Sequence, residues 1–207
     1  MRQNRALTGT ILPQLMGAIV GDRDLRADSR DVRWGVLGAG CISHRFASSL
    51  KEVDGAQLVA AAGRTPAHVE EFCRAFSIDA AHGYASADDN GCAAYDALIA
   101  DPDVDAIYLA LPHGMHAHWA CRALRAGKAV LCEKPAVLSE DEARAIASVS
   151  RECYVLFIEA MKNRFCPMRT RVKDLLSSGE LGRIVSIESV QKLDYGEPPS
   201  SYLLDPL

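Results

Sequence analysis

Residues 34–43 read WGVLGAGCIS and give the strongest indication of the fold class of this chain. A short apolar run ends at Gly38, which is typical of a buried β-strand, and apolar residues with helical spacing follow from Cys41. Gly38 and Gly40 allow a tight turn and a close approach of the backbone to a pyrophosphate, which the N-terminus of the next helix attracts. Ser43 stands where such turns usually carry a third glycine. The stretch therefore predicts a strand, turn and helix that bind a dinucleotide.

Apolar runs and segments of helical spacing alternate after this stretch. Runs that are apolar throughout and alternate with helices are typical of a parallel sheet covered on both faces. The predicted fold class is therefore α/β, a Rossmann-type doubly wound parallel sheet. Further strands are predicted over residues 57–62, 106–110, 129–132 and 153–158. Helices are predicted to begin at Pro66 and to cover residues 95–100 and 113–126. A last helix is predicted from a capping box at Ser139 and Glu142 to about Val149.

Three regions follow from this pattern. Residues 1–32 are expected to be a poorly ordered extension, because residues 22–33 mix acids and arginines with almost no apolar content. Residues 33–158 are the predicted dinucleotide-binding domain. Residues 159–207 are predicted to begin an α+β substrate and oligomerisation domain, with a helix over 167–178 and a one-sided strand over 183–193.

Composition excludes several classes of protein. The chain has 207 residues, of which 49% are hydrophobic and 24% charged, as in an ordinary globular protein. A net charge of -4 provides no basic surface, so a nucleic-acid partner is not expected. The apolar run at 11–20 is too short to cross a bilayer, and the acidic and basic residues after it do not fit a secretory signal. A cytoplasmic protein without a membrane partner is predicted.

The end of the second predicted strand indicates the cofactor. NAD-binding folds place an acid there, about 20 residues after the glycine turn, to bind the ribose hydroxyls. Here Arg64 and Thr65 occupy that place, and the next acid is Glu70. A guanidinium and a hydroxyl suit a 2′-phosphate, which favours NADP, with NAD as the alternative cofactor. Arg64 as an ordinary solvated surface residue remains the other interpretation.

The ends of the third and fourth strands carry most of the reactive side chains. Residues 111–116, LPHGMH, follow the third strand, and residues 133–135, EKP, follow the fourth. Ligands of open parallel sheets bind at these carboxyl ends. The histidines at 113, 116 and 118 lack a carboxylate or cysteine at ligand spacing, and the seven cysteines form no Cys-x-x-Cys pair, so no metal site is predicted.

Taken together, these motifs resemble the Gfo/Idh/MocA family of oxidoreductases, including its dihydrodiol dehydrogenase and D-xylose dehydrogenase branch. The resemblance lies in GAGCI at 38–42, Arg64, PHGMH at 112–116, LCEKP at 131–135 and EAMKNRFCP at 159–167. It implies NAD(P)-dependent hydride transfer to or from a sugar, polyol or dihydrodiol hydroxyl. It also implies a homo-oligomer in the full-length form.

The resemblance further implies roles for individual residues. Lys134 would be the catalytic acid or base, since a proton leaves the hydroxyl oxygen as the hydride leaves carbon and an amine can accept that proton. Glu133 would orient the lysine or contact the nicotinamide, Pro135 would follow a cis peptide bond, and Arg164 would reach the substrate. The implied cofactor contacts are Gly38, Gly40, Cys41, Ile42, Arg64, Leu111, Pro112, His113, His116, Glu133 and Lys134.

The sequence departs from the family at its end. Members of the family continue through a glycine-rich stretch into an Asp-x-Gly-x-(His/Tyr) motif, and residues 203–207 match only the lead-in to it. A C-terminally truncated chain is therefore expected. There are two alternatives to an active oxidoreductase. One is a catalytically inactive dinucleotide-binding remnant. The other is a relative that uses NAD for glycoside hydrolysis, and no residue of the sequence gives positive evidence for that activity.

Overall fold

Six strands form one parallel sheet in residues 31–190, the part of the chain that our computed structural model describes. The order in the sheet is β3-β2-β1-β4-β5-β6, so the order reverses between β1 and β4. This is the doubly wound arrangement in which ligands bind at the reversal point. The predicted α/β class is confirmed. The strands are β1 (Val32–Leu37), β2 (Ala56–Gly63), β3 (Gly83–Ala85), β4 (Ala106–Leu109), β5 (Ala129–Cys132) and β6 (Phe157–Glu159).

Helices follow most of the strands, at the positions that the apolar spacing predicts. The helices predicted to begin at Cys41 and at Pro66 do begin there, and the predicted helix over 167–178 is also confirmed. The helices are α1 (Cys41–Leu50), α2 (Pro66–Phe76), α3 (Cys92–Ala100), α4 (His116–Arg125), α5 (Glu140–Cys153) and α6 (Pro167–Ser178), with 3-10 helices at Ala80–His82, His113–Met115 and Lys162–Phe165.

The junction between α5 and β6 differs from the prediction. The Ser139 hydroxyl caps α5 by accepting a hydrogen bond from the Glu142 N–H at 3.2 Å, but the helix continues to Cys153 instead of ending near Val149. Tyr154 then ends it in the left-handed conformation, with φ of 54°. The predicted strand over 153–158 is therefore wrong at its start, and β6 begins at Phe157. Sequence analysis also missed β3, because three residues are too few to show a period.

Two apolar clusters cover the sheet, one on each face, and β1 contributes to both. Val36 belongs to the cluster that contains Phe46 of α1 and Phe72 of α2. Its neighbour Leu37 belongs to the cluster that contains Leu98 of α3, and residues of α4 and α5 complete that cluster. Successive residues of a strand point to opposite faces. A strand buried on both faces reads as the continuous apolar run seen in the sequence.

A second compact unit begins at Cys166 and contains α6. The strand predicted over 183–193 is wrong for its described part, because residues 184–190 form no regular secondary structure. A β-strand is stable only when it pairs with a neighbouring strand, and an alternating apolar pattern does not by itself provide that neighbour. Residues 191–193 and the predicted extension up to residue 30 lie outside the described range. None of the helices within residues 31–190 combines the length and the apolar character that crossing a bilayer requires.

Candidate functional site

A cavity lies at the point where the strand order reverses, beside the carboxyl ends of β1, β2 and β4. Its volume is about 180 Å³, and its lining includes the glycine turn after β1, the residues after β2 and the turn after β4. Five of the residues predicted to bind a cofactor line it: Gly38, Gly40, Arg64, Leu111 and Pro112.

The two glycines of the turn serve different purposes. Gly38 has a φ of +97°, and a Cβ built on it would lie 2.5 Å from the carbonyl oxygen of Ala110. The fold itself therefore requires glycine at this position. Gly40 is the N-cap of α1, and a Cβ built there would meet no protein atom within 4 Å. Since none of the described residues fills this space, the missing side chain at Gly40 leaves room for a ligand against the backbone.

The N-terminus of α1 is suited to an anion. Its N-cap makes no side-chain hydrogen bond, and its first turn contains no acidic residue. Ser43, fully buried, donates its hydroxyl hydrogen bond to the carbonyl of Gly38 and closes the turn in place of a third glycine. Cys41 is exposed and Ile42 half-buried in the first turn. Within residues 31–190, the partial positive charge of this helix end thus faces a cavity that no acidic side chain lines.

Polar side chains also line the cavity after β2. Arg64 is exposed, and its Nη1 donates a hydrogen bond of 3.2 Å to the Asn90 side chain. Thr65 is the N-cap of α2, but its side chain caps no backbone group. His68, which sequence analysis missed, also lines the cavity. Its position four residues after Arg64, across the start of a helix, is the signal that would have found it. No acidic side chain is among the cavity-lining residues of the described chain.

The turns after β4 and β5 come together because Leu109 pairs with Cys132 in the sheet. Glu133 follows β5, and its Oε1 accepts a hydrogen bond of 2.7 Å from the Tyr108 hydroxyl. Its Oε2 accepts a bond of 3.2 Å from the backbone N–H of Lys134. Burial raises the pKa of Tyr108, and Glu133 raises it further, so the tyrosine remains a donor. Tyr108 was missed by sequence analysis because it reads as part of an apolar strand.

Lys134 and His113 lie close enough to influence each other. Lys134 is exposed, and the peptide bond between Lys134 and Pro135 is cis, as the family resemblance implied. Burial lowers the pKa of His113, and the positive charges of His116 and Lys134 lower it further. The lowered pKa favours a neutral His113 ring at neutral pH.

His116 does not reach the surface. It is fully buried, with Nδ1 2.8 Å from the carbonyl oxygen of Pro135 and Nε2 2.7 Å from that of Leu111. Arg164 is exposed in the 3-10 helix before α6 and does not line the cavity. The structure thus brings the two predicted turns together through His116. The ligand contacts predicted for His116 and Arg164 stay predictions.

The described residues contain one group with the spacing of metal ligands, and it lies away from the cavity. His82, Asp101 and Asp103 place their ligand atoms within 4.8 Å of one another near the amino ends of β3 and β4. The His82 Nδ1 lies 2.7 Å from an Asp101 oxygen, and Arg33 forms an ion pair of 2.6 Å with Asp103. The negative charges of the two carboxylates are thus already balanced by Arg33 and by the hydrogen bond to His82.

Comparisons with known proteins agree with this geometry. Residues 32–160 match a family described as "Oxidoreductase family, NAD-binding Rossmann fold". Trans-1,2-dihydrobenzene-1,2-diol dehydrogenase of Danio rerio is 34% identical over 155 residues, which are 74% of this chain and 43% of the relative. D-xylose 1-dehydrogenase (NADP(+)) 2 of Haloferax volcanii is 33% identical over 156 residues, covering 75% and 45%.

A solved structure shows the same fold. KijD10, a 3-ketoreductase from Actinomadura kijaniata in complex with NADP and TDP-benzene, superposes with a TM-score of 0.63 and 32% identity, covering 72% of this chain and 43% of that one. The chain spans less than half the length of the relatives it matches.

Proposed function

Because the chain belongs to the Gfo/Idh/MocA oxidoreductase family, we propose that it binds NADP at the reversal point of its sheet. In a protein of the relatives' length, the same site would serve hydride transfer to or from a sugar, polyol or dihydrodiol hydroxyl. The observation that carries the cofactor assignment is the end of β2, where Arg64 lines the cavity and no carboxylate does.

The adenosine half of the cofactor would lie between α1 and α2. The N-terminus of α1, with the open space at Gly40, would hold the pyrophosphate. Arg64 would form charge-assisted hydrogen bonds to the 2′-phosphate, and the uncapped Thr65 hydroxyl and His68 would add polar contacts. NAD would meet no acid for its ribose hydroxyls here. Two of the relatives support the assignment, since one is named for NADP and another was solved with NADP bound.

The reacting half would lie at the turns after β4 and β5. When bound, the nicotinamide supplies or accepts the hydride. The Lys134 Nζ would take the proton from the substrate hydroxyl during oxidation and return it during reduction. Glu133, held by Tyr108, fixes the backbone from which Lys134 extends. Leu111, Pro112 and His113 would border the nicotinamide ribose, with Cys41 and Ile42 near the pyrophosphate and Arg164 near the substrate.

The remaining parts of the proposal concern the whole protein and rest on the family. Residues 33–158 would form the dinucleotide-binding domain, and 159–207 would begin the substrate and oligomerisation domain. The protein would be cytoplasmic and, at full length, a homo-oligomer that acts on a small-molecule substrate.

Cofactor titration tests the central claim. Calorimetry of the 207-residue chain should show tighter binding of NADP than of NAD. Arg64→Leu should weaken NADP binding by about 1–3 kcal/mol, the range for a hydrogen bond to a charged group, and leave NAD nearly unchanged. Arg74→Leu is the matched control, because Arg74 lies on α2 but pairs with Glu70 at the surface. Equal or tighter binding of NAD by the parent chain would refute the NADP assignment.

Turnover separates the enzyme from the alternative of an inactive remnant. The chain should be assayed with NADP on a panel of sugars and diols. Tight cofactor binding without turnover, in this chain and in any longer form of the gene product, would favour the nucleotide-binding remnant. Retained NAD with release of a sugar and no net redox change would favour glycoside hydrolysis.

A further inference from the structure

One peptide group in the candidate site is held at both of its ends by ionisable side chains. It joins Pro135 to Ala136 and is the next peptide group after the one that joins Lys134 to Pro135. Its carbonyl oxygen lies 2.8 Å from the His116 Nδ1, and its N–H donates a hydrogen bond of 2.9 Å to the Glu159 Oε1. The two side chains come from α4 and the end of β6, on either side of the turn.

His116 also connects this turn to the other one in the site. Its Nε2 lies 2.7 Å from the carbonyl oxygen of Leu111, in the turn that carries Pro112 and His113. Carbonyl oxygens only accept hydrogen bonds, and each ring nitrogen of His116 lies within hydrogen-bond distance of one, so the ring joins the two turns through backbone groups. His116 is fully buried, and water cannot replace either contact without a rearrangement.

We propose that His116 and Glu159 are positioning residues that fix the turn after β5, and with it the direction of Lys134, against the turn after β4. The inference rests on the proposed function, in which both turns border the reacting half of NADP. It gives His116 a role other than direct cofactor contact. Packing alone does not explain the pair, because both ring nitrogens of His116 and the Oε1 of Glu159 lie within hydrogen-bond distance of backbone groups in the two turns.

Hydrogen exchange tests the positioning directly. The Ala136 amide is the probe, and the Val36 amide of the central strand reports global stability. In His116→Phe, which keeps a ring but no donor, Ala136 should exchange about tenfold faster relative to Val36. His116→Gln should restore part of the protection, because its amide can donate to one carbonyl. His118→Phe, an exposed histidine on the same helix, is the matched control and should change neither amide.

Ligand binding tests the consequence for the site. The probe for the adenosine half is 2′,5′-ADP, which would reach Arg64 and α1 but not the turns after β4 and β5. His116→Phe should keep the Kd for 2′,5′-ADP within about twofold and weaken NADPH binding by about tenfold. Glu159→Ala should act in the same way, whereas Glu159→Gln, which keeps an acceptor oxygen, should stay near the parent.

The outcomes separate this inference from the proposed function. Equal acceleration at Ala136 and Val36 would overturn it, because His116 would then only stabilise the fold. Faster exchange at Ala136 with unchanged NADPH binding would also overturn it. If the parent binds neither 2′,5′-ADP nor NADPH, the proposed function fails, and with it the positioning role toward the cofactor. Should His116→Phe not fold, the same two measurements on His116→Gln and Glu159→Ala decide the matter.

Discussion

Two independent constraints hold position 38 to glycine. The first is its φ of +97°, which a residue with a Cβ adopts only under strain. The second is the carbonyl oxygen of Ala110, which leaves no space for a Cβ. Gly38, which shapes the glycine turn after β1, therefore also lets β1 approach the turn after β4. Gly55 shares the first constraint only, with φ of +79° and nothing within 4 Å of a built Cβ.

This pair yields a stability prediction. Gly55→Ala should lower the free energy of unfolding by about 1–2 kcal/mol, the cost of the left-handed conformation for a residue with a Cβ. Gly38→Ala should cost clearly more, because the turn must also move away from Ala110. Urea unfolding of the two variants measures the difference, and equal costs would show that the close contact carries no energy.

Substitution of Lys134 is the most direct test of the proposed chemistry. In a form of the protein that turns over, Lys134→Ala should lower kcat by roughly 10²–10⁴, the usual contribution of a general acid or base. Cofactor affinity should largely remain, since the glycine turn and Arg64 would supply most of it. Lys51→Ala is the control, because Lys51 lies over the Phe76 ring, away from the site. Turnover within a few-fold of the parent would exclude Lys134 as the proton carrier.

At the scale of elements, a hydrogen-bonded network joins the amino end of the sheet, opposite to the cavity. Asp101 is the C-cap of α3 and is buried. It accepts hydrogen bonds from His82, just before β3, and from Tyr84 within β3. The hydrogen bond to Asp101 raises the pKa of His82 against the opposing effect of burial. Burial alone would raise the pKa of Asp101, but its hydrogen bonds, the one from the Asp103 N–H first, lower it overall.

This network should make stability depend on pH in a defined direction. A raised pKa in the folded state means that His82 contributes its full stabilisation below the unfolded value of about 6.5 and loses it as the pH rises through the folded value. The free energy of unfolding should therefore fall across that interval. Asp101 acts in the opposite sense and loses its contribution as the pH drops below about 3.9, through its lowered folded value.

Urea unfolding over a pH series measures both effects. His82→Gln should flatten the fall above neutral pH, and Asp101→Asn should flatten both the fall above neutral pH and the loss in acid. The role given to His82 would be contradicted if the unfolding free energy of the parent chain rose between pH 6 and 8 and His82→Gln left this pH dependence unchanged.

At the scale of the whole molecule, exposed apolar side chains concentrate in the second unit. They belong to α6 and the residues after it: Met168, Val172, Leu176, Leu181, Ile184, Val185, Ile187 and Val190. The described residues of the first unit bury most of their large apolar side chains in two clusters and expose few. Exposed apolar surface of this kind promotes association.

The isolated 207-residue chain should therefore self-associate. Sedimentation velocity over a concentration series should show species larger than a monomer. The double variant Val185→Lys and Ile187→Lys, which replaces the two most exposed aliphatic residues of the segment, should shift them toward the monomer. Leu138→Lys, at an exposed position of the first unit, should not. A monomer at every concentration would contradict the prediction.

Prediction from sequence succeeded where the signal lies within a few consecutive residues. The turn from Gly38 to Cys41 and the capping of α5 by Ser139 are both local, and both are confirmed. The strand expected over 183–193 failed because apolar alternation describes a strand only where a neighbour is present to pair with it. The end of α5 was misplaced because Tyr154, not a glycine, takes the left-handed terminal position.

The parallel sheet, the turn at Gly38 and Gly40, and the placement of Arg64 could be predicted from the residues alone, because period and turn chemistry are encoded in adjacent residues. Which side chains support the site depends on contacts between distant parts of the chain. Tyr108 meets Glu133 across 25 residues, His116 meets Pro135 across 19, and Glu159 meets Ala136 across 23. Such pairs come together through the order and register of β4, β5 and β6, which no local pattern contains.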